Sequence, residues 1–163
     1  MANDVLNRWA TEIGERLVAR GETVSVAESS AGGLISASLV AIPGASRFYR
    51  GGVVFYTLGG LRALLGDVGD LELPQRGGCE EMARFLAPTV RTKLRADWSI
   101  GETGASGPDG NPYGDPPGHA WVSVAGPDGL VRAENVLTGD ADRAANMEVF
   151  AARALAQLAA ALA

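Results

Sequence analysis

The feature that most limits how this chain can fold is an abrupt change of hydrophobic period between residues 23 and 39. The segment TVSVAE alternates β-branched and small residues, as a short strand does, and SSAGG then forms a turn before LISASL opens a helix. Such a turn leaves backbone N–H groups unpaired at the helix start, which attracts anions. Glu28, Ser29 and Ser30 would stand at the carboxyl end of the strand, where open α/β sheets usually bind ligands. We therefore interpret this turn as the centre of the functional site.

Helical spacing of apolar residues predicts the helices on either side of this turn. They are expected at residues 3–20, 32–41, 59–65 and 79–96, and from Asp140, a potential N-cap, towards the C-terminus. Pro88 should kink or split the fourth of them. A turn-rich loop is expected between the third helix and Gly78.

Apolar runs and turn residues predict the remaining strands. GGVVFY at 51–56 indicates a buried strand, WSI at 98–100 a brief one, and 119–125 with 130–137 a hairpin around the turn GPDG. Between them, residues 101–118 hold six glycines and four prolines. A loop of this length inside a compact domain is usually functional or disordered, and its flanking strands favour function.

The order of these elements predicts one domain over residues 1–163. Strand–helix alternation followed by a late hairpin is typical of a three-layer α/β/α sandwich around a mixed, mostly parallel sheet. The composition, 47% hydrophobic and 20% charged, fits an ordinary globular protein.

Composition and charge also exclude several functions. The net charge is -5 and the Lys and Arg residues are scattered, which argues against nucleic-acid binding. We see no signal peptide and no apolar run of membrane-spanning length, so we expect a cytoplasmic protein with no membrane contact. The single cysteine, Cys79, excludes an internal disulfide and a multi-cysteine metal site, and is more often a small buried hydrophobe than a reactive thiol.

Five motifs follow one another in order along nearly the whole chain. They are AESSAGG (27–33), PGAS (43–46), GGVVFY (51–56), TGASGPDG (103–110) and GDADR (139–143). Together they resemble the C-terminal domain of the competence-damage CinA family, the nicotinamide-nucleotide amidohydrolases. The resemblance implies hydrolysis of the carboxamide of nicotinamide mononucleotide or a related nucleotide, by a serine-based reaction without metal or cofactor. It also implies a small-molecule, nucleotide-like ligand and a homodimer.

The resemblance and the two small-residue bends give the candidate site residues. Ser46 or Ser29 would be the nucleophile, with Glu28 and Tyr56 as further catalytic residues. Residues whose backbone or side chains would hold the substrate are Ser30, Gly32, Gly33, Thr103, Gly104, Ser106, Gly107, Asp109, His119 and Arg143. We expect the bend near residue 30 and the bend near residue 107 to meet in a single pocket that favours anions, with Arg143 facing a phosphate.

The chain departs from the family pattern where a base is needed. Leu61 stands at the place of the family's lysine, and the neighbouring Arg62 stays protonated. A positioned base is worth about 10²- to 10⁴-fold in rate. The residues that can replace it are Glu28, Glu80, Glu102, Asp109 and His119.

A second departure follows the glycine-rich core of the fourth motif. The chain continues as NPYGDPPGH where the family has Lys-Pro-Val-Gly-Thr. Three hypotheses therefore remain: an amidohydrolase, a catalytically altered relative that binds a nucleotide-like ligand without deamidation, and a hydrolase of another amide or ester that uses Glu28 or His119 as base.

Overall fold

A five-stranded sheet with helices on both faces forms the protein. The computed structural model describes residues 2–66 and 72–163. Its helices and strands are α1 (Ala2–Arg20), β1 (Val24–Glu28), α2 (Leu34–Val40), β2 (Tyr49–Val54), α3 (Leu58–Leu65), α4 (Glu80–Leu94), β3 (Trp98–Ala105), β4 (His119–Ala125), β5 (Val131–Leu137) and α5 (Arg143–Ala161).

The sheet is mixed, in the order β2-β1-β3-β4-β5. β1 pairs in parallel with β2 and β3, whereas β3–β4 and β4–β5 are antiparallel, so only β4 runs against the other strands. This confirms the predicted α/β sandwich with a mostly parallel sheet. The parallel strands place the carboxyl ends of β1, β2 and β3 at one edge.

Two hydrophobic clusters hold the helices to the sheet. α1, α2 and α5 contribute to the larger cluster, in which Ile13, Ile35 and Phe150 are fully buried. The helical spacing predicted for residues 3–20 is confirmed, because Leu6 and Leu17 lie in the same cluster. α3 and α4 form the smaller cluster on Ala27 and Phe55.

Two strands differ from their predictions. The sequence predicts β2 as a buried strand at 51–56, but the strand begins at Tyr49 and ends at Val54. Its residues alternate between half-buried and exposed, because β2 lies at the edge of the sheet and pairs only with β1 among the described strands. β3 continues to Ala105, through residues expected to be loop. A Cβ on Gly101 would lie 2.5 Å from Ser123 Oγ, and one on Gly104 2.5 Å from His119 O. These glycines therefore allow close packing inside the sheet.

The helices follow the predictions more closely, with three changes. α2 begins only at Leu34, because Gly32 and Gly33 take left-handed backbone angles (φ +66° and +101°). α5 begins at Arg143, where Asp142 accepts from Ala145 N (3.1 Å) and replaces Asp140 as the predicted cap.

The predicted split of the fourth helix at Pro88 is wrong. α4 runs from Glu80 to Leu94 as one helix, and two sheet residues bind the turn that precedes the proline. Ser99 Oγ donates to Ala87 O and Ser123 Oγ to Ala83 O, each at 2.5 Å. Tertiary packing thus outweighs the local cost of the proline.

Part of the predicted loop between α3 and Gly78, residues 67–71, lies outside the described residues. Within residues 2–66 and 72–163, no helix is both long and apolar enough to cross a bilayer. The same ranges contain no cluster of three or more His, Cys, Asp or Glu residues placed to hold a metal ion.

Candidate ligand-binding site

The two small-residue bends meet at the carboxyl edge of the parallel strands. Ser106 Oγ donates to Ser30 O at 3.0 Å, which joins the end of β3 to the turn after β1. Glu102 reinforces this contact: its Oε2 accepts from the backbone N–H groups of Ser29 and Ala31, both at 2.9 Å, and its Oε1 accepts from the Ser30 hydroxyl. The predicted meeting of the bends is confirmed.

The N–H donors at the start of α2 are already occupied by a carboxylate of the protein. Glu28 is fully buried, and its two oxygens accept from Gly33 N (3.0 Å), Ile35 N (3.1 Å) and Ser36 N (2.9 Å). A ligand anion at this helix start is therefore excluded, contrary to the prediction. Glu28 is also unsuitable as a catalytic base, because both of its oxygens cap the helix.

Glu102 is the second buried carboxyl group behind the turn. Burial raises its pKa to about 7; the hydrogen bonds from Ser30, Ala31 and Ser29 lower it, and the negative charge of Glu28 raises it further. The protonated and ionised forms of Glu102 are thus close in free energy near neutral pH. In either form, its oxygens hold the turn rather than a ligand.

A cavity of about 420 Å³ opens beside this turn. Its lining residues are Ser29, Phe55, Tyr56, Thr57, Leu58, Gly77, Gly78, Met82, Thr103, Gly104, Asn111, Pro112 and Tyr113. The volume lies in the range of small-molecule sites. Within the part of the chain that the structure describes, the lining contains apolar, aromatic, hydroxyl and amide groups but no carboxylate, imidazole, amine or guanidinium.

Ser29 is the predicted nucleophile that reaches this cavity. Its residue is 8% exposed, and its backbone N–H is bound to Glu102. No described residue forms a hydrogen bond with its hydroxyl, which lies in the cavity wall. Ser29 Oγ is therefore available to a ligand.

One wall of the cavity is held by two other predicted site residues. Thr103 Oγ1 accepts from Gly78 N, and His119 Nε2 donates to Gly78 O, both at 2.8 Å. His119 does not line the cavity, and its contact with Gly78 O helps to position the wall that Gly78 belongs to. Thr103 and Gly104 do line it.

Arg143 and Tyr56 form the rim. Arg143 Nη1 donates to Gly107 O (2.5 Å) and Nη2 to Tyr56 Oη (2.6 Å), with the guanidinium carbon 5.8 Å from the centre of the tyrosine ring. Tyr56 is 66% exposed, so this pair lies at the mouth. Arg143 therefore links the second bend to Tyr56, which follows the end of β2 and lines the cavity.

Several glycine and serine candidates lie behind the cavity wall. A Cβ on Gly32 would lie 2.7 Å from Met147 Cε, so this glycine gives α5 room to pack. Gly33 N donates to Glu28, Ser106 Oγ donates to Ser30 O, and the Ser30 hydroxyl donates to Glu102. None of these residues lines the cavity, so their predicted contacts with a substrate stay predictions.

Ser46 lies at the opposite edge of the sheet. It is exposed in a 3₁₀ turn (Ala45–Arg47) before β2, whose first residue, Tyr49, pairs with Val24 at the start of β1. Five residues of strand, at roughly 3.3 Å each, separate that edge from Ser29. Ser46 therefore cannot reach the cavity of its own chain.

The remaining base candidates are also absent from the cavity lining. Leu61 is fully buried in the α3–α4 cluster, and Arg62 is exposed. Glu80 pairs with Arg84 at 2.8 Å on the exposed side of α4. Asp109 is exposed and forms no hydrogen bond with any described residue.

The sequence reasoning missed the apolar floor and one wall of the cavity. Phe55 and Met82 belong to the floor through the smaller hydrophobic cluster, and they read as ordinary core residues. Asn111 and Tyr113 belong to the segment that departs from the family pattern. Tyr113 is the one aromatic residue between positions 101 and 118, and this isolated aromatic side chain could have indicated a contact with a ligand.

Sequence comparisons identify relatives along most of the chain. The profile of the CinA C-terminal domain matches residues 6–162. A CinA-like protein of Anaeromyxobacter sp. (strain Fw109-5) is 39% identical over 144 residues, covering 88% of this chain and 35% of the relative. One from Prochlorococcus marinus (strain MIT 9313) is 41% identical over 140 residues, covering 85% and 32%. The chain thus spans about a third of the length of these curated relatives.

Solved structures share the same fold. The competence/damage inducible protein CihA from Agrobacterium tumefaciens superposes with a TM-score of 0.87 at 30% identity, covering 97% of this chain and 95% of that one. A competence-damaged protein (CinA) superfamily protein from Enterobacter cloacae gives a TM-score of 0.87 at 25% identity, with 97% and 92% covered.

Proposed function

The chain belongs to the CinA C-terminal domain family, and from that premise we propose that it binds a nicotinamide-nucleotide-like ligand in the cavity beside Ser29 without hydrolysing the ligand's amide. The observation that carries this proposal is the lining itself. Within the described residues, it offers surfaces for a ring and polar groups for orientation, but no carboxylate, imidazole or amine that can act as a general base.

The lining and the rim support the ligand class. Phe55, Tyr56 and Tyr113 offer aromatic surface, and Ser29 and Asn111 offer hydrogen bonds. At the mouth, Arg143 donates one N–H to Gly107 O and one to Tyr56 Oη, so the other N–H groups of its guanidinium can bind a phosphate. A mononucleotide combines a flat ring with a phosphate and matches this distribution.

The positions of Leu61 and Ser46 argue against the family's reaction. A serine that attacks an amide needs a neighbouring group to accept its proton. Leu61 supplies none and is buried in the core, and Ser46 lies at the opposite edge of the sheet.

We further propose that the protein forms a homodimer, in which only a second copy can bring Ser46 to this cavity.

Amide hydrolysis with Ser29 as nucleophile is the second candidate, and the free hydroxyl of Ser29 in the cavity wall favours it. Glu102 is the nearest ionisable group that bonds to this residue, but it accepts from the backbone nitrogen of Ser29 and not from the hydroxyl. This candidate therefore requires a water or a second copy to accept the proton.

Calorimetric titration with nicotinamide mononucleotide, paired with an ammonia-release assay, tests the proposal. Saturable binding without ammonia is the expected result, and Ser29→Ala should weaken that binding. Ser38→Ala is the matched control, because the Ser38 hydroxyl donates to Leu34 O inside α2. Release of ammonia that Ser29→Ala abolishes would establish the second candidate instead.

Two further outcomes are decisive. Ammonia release that Ser46→Ala abolishes, and that a mixture of Ser46→Ala and Ser29→Ala chains partly restores, would mean that two copies share one catalytic site. Absence of any binding of nicotinamide mononucleotide would overturn the proposed ligand class.

A further inference from the structure

Residues 111–115, which lie within the glycine- and proline-rich segment, form a closed turn around Asn111. Asn111 Oδ1 accepts from Tyr113 N (3.1 Å) and Asp115 N (3.0 Å), and Asn111 N donates to Asp115 O (3.1 Å). The Asn111 amide nitrogen also donates to Asp115 Oδ2 at 2.7 Å. This turn presents Asn111, Pro112 and Tyr113 to the cavity.

Arg76 binds that turn to the neighbouring stretch of the cavity wall, Gly77 and Gly78. Its guanidinium forms an ion pair with Asp115 and donates to Gly77 O (3.1 Å) and Gly78 O (3.3 Å). The Asp115 side chain is 19% exposed, so water screens this pair only in part. Gly77 and Gly78 line the cavity, and Arg76 therefore bridges two stretches of its wall.

The same guanidinium lies over the ring of Tyr113. Its carbon is 4.8 Å from the ring centre, which is a cation–π contact. Because Arg76 covers one face of the ring, a ligand can stack only on the other. The ring is thus held in place before a ligand binds, which lowers the entropic cost of ordering this side chain on binding.

We propose that Tyr113, positioned by Arg76 and Asp115, is the residue that selects ligands carrying a flat heteroaromatic ring. This inference rests on the proposed function, since it assigns the ring of that ligand to one wall. Tyr113 stacks on the ring, while the phosphate stays with Arg143 at the mouth.

The test compares two probes, nicotinamide mononucleotide and ribose 5-phosphate, which share the sugar phosphate and differ in the ring. We define the ring preference as the ratio of the Kd of ribose 5-phosphate to the Kd of nicotinamide mononucleotide. Tyr113→Ala should reduce this ratio roughly five- to hundredfold, the range that loss of one aromatic stacking partner gives. The Kd of ribose 5-phosphate should change by less than about twofold.

Three further variants separate stacking from loss of fold. Tyr113→Phe keeps the ring and should restore the ring preference that Tyr113→Ala loses. Asp115→Asn removes the charge opposite Arg76 and should lower the preference in part. Arg84→Ala is the matched control, because it breaks an exposed ion pair with Glu80 away from the cavity lining. Far-UV circular dichroism and Tm of each variant report its folding.

The outcomes distinguish the two proposals. If the unchanged protein binds nicotinamide mononucleotide and Tyr113→Ala keeps its ring preference, the role of Tyr113 is refuted while the proposed function stands. Equal weakening of both probes by Tyr113→Ala also refutes it, since that result indicates a general loss of the wall. If the unchanged protein binds neither probe, the proposed function itself fails.

Discussion

Replacing Glu102 by glutamine should make the stability of the protein less dependent on pH. The carboxyl group is fully buried, and its pKa rises from 4.5 to about 7 on folding, chiefly through loss of hydration. The folded chain therefore holds this proton more tightly than the unfolded chain does. The resulting stabilisation is complete below about pH 4.5 and is lost as the pH rises to about 7.

The size of the effect follows from the shift. A difference of about 2.5 pKa units corresponds to about 3 kcal/mol, at about 1.4 kcal/mol per unit. Glutamine cannot ionise, so Glu102→Gln removes this contribution to the pH dependence. The free energy of unfolding of the variant, relative to the unchanged protein, should therefore rise by roughly 2 to 3 kcal/mol between about pH 5 and about pH 8.

The hydrogen bonds around Glu102 allow this substitution. The N–H groups of Ser29 and Ala31 both donate to Oε2, so the single carbonyl oxygen of a glutamine can accept them. The amide nitrogen then takes the place of Oε1 and donates to the Ser30 hydroxyl, which rotates to accept. The N–H groups of Ser29 and Ala31 and the hydroxyl oxygen of Ser30 thus keep a partner in the variant.

Urea unfolding followed by far-UV circular dichroism at several pH values measures the difference. Glu80→Gln is the matched control, because Glu80 is an exposed carboxylate whose ion pair contributes about 1 kcal/mol or less. A stability difference between Glu102→Gln and the unchanged protein that stays constant from about pH 5 to about pH 8 would refute the reasoning.

Three further predictions concern the walls, the rim and the core. Gly104→Ala should lower the free energy of unfolding by about 1–3 kcal/mol, because the new Cβ would lie 2.5 Å from a backbone oxygen. Gly59→Ala is the control and should not lower it, because the nearest atom to its Cβ would be 3.8 Å away. Thermal unfolding of both variants measures the difference. Arg143→Lys should lose the hydrogen bond to Gly107 or the one to Tyr56, so calorimetry should show weaker binding of ribose 5-phosphate. An unchanged affinity would contradict the placement of a phosphate at the rim. Leu61→Lys should destabilise the protein by several kcal/mol, because the position is fully buried. The variant should release no ammonia from nicotinamide mononucleotide, because residue 61 does not line the cavity. Turnover in this variant would contradict that geometry.

Local sequence patterns predicted most of the fold. The strand, turn and helix at residues 23–40 follow from alternation, glycines and apolar spacing, which are properties of neighbouring residues. Gly101 and Gly104 were misread because the reason for them is tertiary: α4 and β4 approach them closely, and no local pattern records that approach. The continuation through Pro88 has the same origin, since Ser99 and Ser123 bind the helix from the sheet.

The candidate site was predicted in part. The meeting of the two bends and the presence of Ser29 and Thr103 in the cavity lining follow from strand order, which sequence reasoning can anticipate in a parallel sheet. The occupants of the N–H donors could not be anticipated, because a strand-to-helix turn binds an anion equally well whether a ligand or the chain supplies it.

That choice of anion determines how a nucleotide can lie in the cavity. Glu28 fills the start of α2 and Glu102 fills the turn after β1, so the donors expected to hold a phosphate are satisfied and bring carboxyl groups next to the inner wall. A phosphate placed there would meet like charge and would compete with these carboxyl groups for the N–H donors that they already bind. Under the proposed function, the phosphate therefore lies at Arg143 on the rim, and the ring enters the cavity towards Ser29, with the amide in reach of the free hydroxyl. This orientation is the reverse of the one that a bare helix start would impose.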